Sequence, residues 1–353
     1  MTRLQSLGAS SASLGRRELL VGGASLVLVA CDRGGPLTTA SHTPRLDMKR
    51  LEAEVGALAA RAAPGVLGVG LMNLESGESW ERLGDRPFPM MSVFKLPLGG
   101  AVLAEVDAGR LSLGETLTLA EKDLSPPLSP IADAWPGRKA YTVAELFTAA
   151  LGESDNTAAD ALMKRIGGPG AVGGWLQAKK IEEVRVDRYE RELAPNALGM
   201  ASFRAAWKGF AAFDKAVATI PPATRHAATL AYMADPRDTA TPRGMLGLLR
   251  KLDAGELLSP ASTHLLLTTL ERTSRGGDRI KAGLPSGVRF AHKPGTSATD
   301  QGLNAAFNDV GIFTLRDGRS YAIAAFLSGS TAPEAARAAL LADLGRIAVR
   351  SVG

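Results

Sequence analysis

Apolar positions repeat at alternating three- and four-residue intervals early in the chain, where Met48, Leu51, Val55, Leu58 and Ala62 mark the stripe of an amphipathic helix. A partner helix is predicted at the opposite end: Thr331-Ala332-Pro333-Glu334 has capping-box spacing and opens a run towards Val349. Between these ends the pattern changes to strands. Gly65 to Leu74 and Ser79 to Leu83 flank Glu75-Ser76-Gly77, a hairpin signal, while Arg289 to Thr296, Asn308 to Leu315 and Ser320 to Leu327 read as three further strands. Arg316-Asp317-Gly318 supplies the turn joining the last two. Two early and three late strands predict one five-stranded antiparallel sheet, with the terminal helices covering one face.

The middle of the chain reads as helical. Thr142-Val143-Ala144-Glu145 is a capping box before Leu146 to Leu151, and Thr241-Pro242 and Ser259-Pro260 each place an N-cap before proline at the first helical position. An all-helical lobe of about residues 90–285 is therefore inserted between the sheet segments. The expected fold class is α/β of the α+β type, with a cleft between lobes as the favoured place for a site.

Composition alters this picture little. With 353 residues, 45% hydrophobic and 22% charged, the chain can bury a full core as one domain of two lobes or two close-packed domains. The sequence pI near 9.4 comes from interspersed charges without a long Lys/Arg block, so nucleic acid is not the expected partner.

The N-terminus changes it more. Arg3, the pair Arg16-Arg17 and the apolar run Leu19 to Ala30 read as a targeting segment, and a run of 12 residues is too short to span a bilayer as a mature helix. The paired arginines resemble a twin-arginine export signal, and Leu28-Val29-Ala30-Cys31 resembles a lipoprotein processing site that would leave Cys31 lipidated. The alternative is cleavage elsewhere, with Cys31 incidental. The expected organisation is an export signal over 1–31, a Gly/Pro/Ser/Thr-rich linker over 32–45, and a domain over 46–353. Either way the mature protein is expected outside the cytoplasm, periplasmic or tethered to a membrane. Loss of residues 1–30 removes three Arg and one Glu, leaving 38 basic and 35 acidic side chains and a net charge of +3. Cys31 is the single cysteine, which excludes an internal disulfide and cysteine-rich zinc sites.

Candidate chemistry lies in three clusters: Ser92-Val93-Phe94-Lys95, Ser154-Asp155-Asn156 and Lys293-Pro294-Gly295-Thr296. A hydroxyl and an amine three residues apart share one helical face, so Lys95 can reach the proton of Ser92, a nucleophile carrying its own base. Ser92 also precedes the helix predicted over Phe94 to Val106, where the positive helix end favours developing negative charge.

The order and spacing of these clusters resemble the penicillin-recognising serine hydrolases, and class A β-lactamases in particular, from about Leu46 to the end. The resemblance implies the β-lactamase/DD-peptidase-like fold. It also implies Ser92 as nucleophile, Lys95 as general base and Ser154 as proton relay to the leaving nitrogen. Asn156 would bind the substrate amide, Asp155 would order its turn, and Lys293 would help hold the substrate carboxylate. The oxyanion hole would be the backbone N–H groups of Ser92 and Thr296. Arg279 matches a carboxylate-binding arginine of some members, with a surface residue as the alternative. Asp187-Arg188-Tyr189-Glu190 resembles the loop whose glutamate activates the deacylating water, which gives that role to Glu190, with Glu192 as competitor. An Arg188–Asp238 ion pair is the expected clamp closing this loop. No cofactor is implied, and His42, His226, His264 and His292 lack metal-ligand spacing.

The chain departs from the family pattern in three places. Ala194 stands where an Asn usually helps hold the water, with Asn196 as a substitute if the loop has slipped. Pro294 stands where Thr or Ser usually separates Lys from Gly, removing a hydroxyl and a backbone donor. The loop is also far longer, with an extra segment over about 195–234. In it Phe203, Trp207, Phe210 and Phe213 have helix-compatible spacing, as a helix packed on the neighbouring lobe or as a lid over substrate.

The expected substrate is a small β-lactam or a peptidoglycan-like molecule, and a monomer is expected. A β-lactamase leads. A D-alanyl-D-alanine peptidase or esterase, or a tethered sensor acylated once, are the alternatives.

Overall fold

The computed structural model describes residues 45–352; the export signal, Cys31 and the linker up to residue 44 lie outside the described residues. Five strands form the central sheet: β1 (Val66–Asn73), β2 (Ser79–Arg82), β3 (Arg289–Thr296), β4 (Phe307–Thr314) and β5 (Ser320–Ser328). Their order is β2-β1-β5-β4-β3, and every neighbouring pair is antiparallel. The α+β architecture is the one expected.

Strand alternation explains both faces. Tyr321, Ile323, Ala325 and Leu327 of β5 face α1 (Met48–Arg61), where Leu51, Val55 and Leu58 are buried. The same face packs on Leu341, Leu344 and Ile347 of the C-terminal helix Glu334–Arg350. Ala322, Ala324 and Phe326 point the other way, into the helical lobe with Phe88, Leu246 and Leu249. Because both faces are covered, β5 reads as a nearly continuous apolar run.

Two expected details differ. The capping box at Thr331 does not form: Pro333 is the N-cap with extended backbone (φ −55°, ψ 153°), no side chain caps the helix, and Ala332 N donates to Ser330 Oγ instead. Nor do the aromatic residues of the insertion lie on one helix. Phe203 is in irregular chain, Trp207 ends a short 3-10 turn, and Phe210 opens the helix Phe210–Ala218 with 58% of its surface exposed. Gly209, at φ +78°, breaks the run between them.

The sheet positions the site through β3, an edge strand, which tolerates Pro294 because only β4 pairs with it. Gly295 lies against the 3-10 turn Met91–Phe94 that carries Ser92: a Cβ built on it would stand 2.4 Å from Met90 O and 3.1 Å from Val93 N. Backbone cannot yield as a flexible side chain can, so this approach requires glycine. Gly295→Ala is expected to cost about 1–3 kcal/mol by overpacking. Urea denaturation checks it; a wild-type unfolding free energy would contradict the packing described.

Candidate active site

Three local devices build the site. Met91, with φ +47°, turns the chain into the 3-10 turn that holds Ser92, and the helix Lys95–Asp107 follows, with Pro97 in its first turn where a missing N–H costs nothing. The α-helix thus begins at Lys95 rather than Phe94. Ser154 occupies the left-handed region (φ +64°) between a π-turn and the helix Asn156–Arg165. Asp155 caps that helix through Ala158 N (2.8 Å) and also accepts from Ile131 N (2.8 Å) and Ser129 Oγ (3.0 Å). It orders the turn and points away from Ser92.

Lys95 is the centre of the arrangement and is fully buried. Its Nζ lies 3.0 Å from Ser92 Oγ, 2.9 Å from Ser154 O, 3.3 Å from Ser154 Oγ, 2.5 Å from Asn156 Oδ1 and 3.2 Å from Glu190 Oε1. An ammonium has three hydrogens, so five oxygens share them. Lys293 approaches from the opposite side and donates to Ser154 Oγ at 3.0 Å and Pro294 O at 3.1 Å. Burial, reinforced by the Lys95 charge, lowers the Lys293 pKa well below the usual lysine value. With both lone pairs of Ser154 Oγ turned to lysines, its own hydrogen is left to donate into the cleft.

Glu190 opens the short helix Glu190–Asn196, and its buried carboxylate stands 3.4 Å from Ser92 Oγ. Glu192 does not share this position, since its Oε2 accepts from Tyr189 N. Arg188 Nε donates to Asp238 Oδ2 at 2.6 Å, and Asp187 N and Arg188 N donate to Asp238 Oδ1 at 2.7 and 3.1 Å, closing the loop. Asn196 is turned away from Glu190, both amide hydrogens going to Met200 O and Ala201 O. Arg279 lies buried beside the end of β3, donating to Asn308 O (2.6 Å), Gly295 O (3.2 Å) and the Thr296 hydroxyl while stacked 3.7 Å from the Phe307 ring centroid. Both its Nη atoms are engaged by the protein itself while Nε is buried without a hydrogen-bond partner, so it meets the cleft through Thr296.

Sequence reasoning missed two residues that hold this geometry. Asn308 Nδ2 donates to Pro89 O and Met90 O at 2.8 and 3.1 Å, fixing the approach to Ser92; its signal was the polar pair Asn308-Asp309 in a buried strand. Asp160 accepts from Glu190 N (2.7 Å), Arg191 N (3.0 Å) and Ser125 Oγ (2.6 Å), pinning the glutamate loop to the helix that begins at Asn156. It stands four residues after Asn156, one helical turn on, and that spacing was its signal.

A scan against family models matches residues 50–352 to the β-lactamase enzyme family. The chain belongs to that family. It is 30% identical over 263 residues to the extended-spectrum β-lactamase PER-1 of Pseudomonas aeruginosa, covering 74% of each chain. It is 28% identical over 284 residues to β-lactamase VEB-1 of the same organism, covering 80% of this chain and 83% of the relative. Among solved structures, the ancestral class A β-lactamase GNCA superposes with a TM-score of 0.69 at 33% identity, covering 85% of this chain and 99% of the ancestor. These similarities make the chain a divergent class A β-lactamase, a serine hydrolase of β-lactams.

Burial first, and then the neighbouring Glu190 charge, raises the Asp160 pKa to about 7. Because this folded value lies above the unfolded one near 3.8, the folded state holds the extra proton between them. The resulting stabilisation is complete below pH about 4 and lost as pH rises through about 7. Asp160→Asn removes this dependence. Unfolding free energies of both proteins across pH 4–8 are expected to show wild type losing ground to the variant up to about pH 7 and then a constant difference; a constant difference throughout would contradict the assignment.

Proposed function

We propose that the protein cleaves the β-lactam amide through an acyl-enzyme on Ser92, which water activated by Glu190 then hydrolyses to a penicilloate-type product. The observation that carries this reading is the Glu190 carboxylate, held 3.4 Å from Ser92 Oγ and 3.2 Å from Lys95 Nζ. A base in that place serves the ester once it has formed.

In the first step Ser92 Oγ bonds to the lactam carbonyl carbon and gives its proton to Lys95 Nζ, whose own proton Glu190 can accept. The N–H groups of Ser92 and Thr296 receive the negative charge on the carbonyl oxygen. As the C–N bond breaks, the nitrogen takes a proton from Ser154 Oγ; Lys95 resupplies Ser154 and recovers its proton from Glu190, so the Ser92 proton ends on the nitrogen and Glu190 is again a carboxylate. Lys293, its pKa lowered, holds Ser154 Oγ from the other side. Asn156 holds the substrate amide through the Nδ2 hydrogen not engaged by Pro126 O, and Lys293 with Thr296 holds the carboxylate. Arg279 acts on that carboxylate by orienting the Thr296 hydroxyl. In the second step Glu190 takes a proton from water, whose oxygen attacks the ester carbon, and Ser92 leaves reprotonated. No step draws on a cofactor.

A second reading, a D-alanyl-D-alanine peptidase or esterase on the same scaffold or a sensor without turnover, is favoured by Ala194, which offers no polar group for the water, and by the diversion of Asn196. For export and a lipid tether on Cys31, the support is the Arg16-Arg17 pair, the apolar run and Leu28-Val29-Ala30-Cys31.

Glu190→Gln discriminates between the two readings. With a penicillin in rapid-mixing and intact-mass experiments, the variant is expected to acylate Ser92 and then hydrolyse the ester about 10²- to 10⁴-fold more slowly. Equal slowing of both steps would move the deacylating role to another residue.

A further inference from the structure

The segment Pro195 to Ala234 touches three sides of the site. At one side Leu198, Met200, Phe203 and Phe213 bury themselves against Leu124 and Ala132. Lys208 Nζ donates to Trp135 O, tying down the same stretch. That stretch is a wall of the cleft, because Pro126 O accepts from Asn156 Nδ2 and Leu128 O from Asn156 N.

At the opposite side, the helix Pro222–Ala234 grips the small hairpin of Thr299–Asp300 and Leu303–Asn304, which continues the chain of Thr296. Arg225 Nε donates to Asp300 Oδ1 at 2.9 Å and its Nη1 to Ile220 O at 2.7 Å; Gln301 Nε2 donates to Pro222 O at 2.7 Å. The Arg225 and Asp300 side chains are only 14% and 15% exposed, so water screens this pair less than a surface pair. Beneath, Tyr232 is buried with Leu193, Ala305 and Ala306, and its hydroxyl reaches Met91 Sδ at 2.9 Å, one residue from Ser92.

The insertion is therefore neither a lid free to swing nor a helix packed on one lobe. We infer that it is a cross-brace between the Asn156 wall and the Thr296 hairpin, and that it sets the largest acyl substituent the enzyme accepts. The inference rests on the β-lactam reading of the site. With the carboxylate held from β3 and the amide by Asn156, the substituent beyond the amide enters the opening that the brace spans. A bulky group requires the walls to part, and parting them breaks the Arg225–Asp300 pair or the Gln301–Pro222 hydrogen bond.

The test compares Arg225→Ala, Asp300→Ala, Gln301→Ala and the charge swap Arg225→Asp with Asp300→Arg. The readouts are kcat/KM for a penicillin with a small acyl group and for an oxyimino cephalosporin, with hydrogen exchange over 199–234 and 299–304. Each single variant is expected to speed exchange in both segments and to raise the bulky-to-small ratio of kcat/KM roughly 3- to 30-fold, with the swap restoring both. Gln301→Ala, an exposed change, keeps the test decisive if an Arg225 or Asp300 variant folds poorly. Faster exchange with an unchanged ratio, or no change in exchange, would overturn the inference. Failure of the β-lactam reading shows instead in the wild type, as an ester on Ser92 that is not turned over; the ratio of acylation rates for the two compounds then takes the place of kcat/KM.

Discussion

One buried side chain, Lys95, organises the site. Lys95 Nζ draws together the hydroxyl of Ser92, both oxygens of Ser154, the amide oxygen of Asn156 and the carboxylate of Glu190, from three separate stretches of chain. An unpaired ammonium in that position would cost several kcal/mol, so each of those stretches must reach it. The left-handed Ser154, the capped turn at Asp155 and the loop clamp of Arg188 on Asp238 are the means by which they do.

The same demand explains the second layer. Glu190 is buried beside Lys95, and its backbone is fixed by another buried carboxylate, Asp160, which takes three donors. Ser154 Oγ stands between two lysines, and the pKa of Lys293 is lowered first by burial and then by the charge of Lys95. In the proposed mechanism, the hydrogen bonds that make the charges tolerable are also the routes by which protons move.

Much of this was legible in the sequence because it depends on local spacing. The Ser92–Lys95 interval, the Ser154-Asp155-Asn156 turn and the strand ending in Thr296 follow from helix and strand periods, and the strand-like runs separated by Glu75-Ser76-Gly77 and Arg316-Asp317-Gly318 predicted the sheet. What escaped depends on meetings between distant segments. The contact of Gly295 with Met90 and the hold of Asn308 on Pro89 and Met90 have no local signature. In the insertion, apolar spacing suggested one helix, but Gly209 and the short 3-10 turn let the aromatic residues converge from separate pieces, leaving Phe210 in solvent. The capping box at Thr331 failed for a related reason, because extended Pro333 starts the helix later.

The proposed acylation requires Lys95 to receive the proton of Ser92. The most direct measurement is the rate at which a penicillin adds to Ser92 in wild type and in Lys95→Ala, followed by intact mass and peptide mapping, with the fold of the variant checked by circular dichroism. The variant is expected to fold and to acylate about 10²- to 10⁴-fold more slowly. Acylation of Ser92 at the wild-type rate in that variant would contradict it.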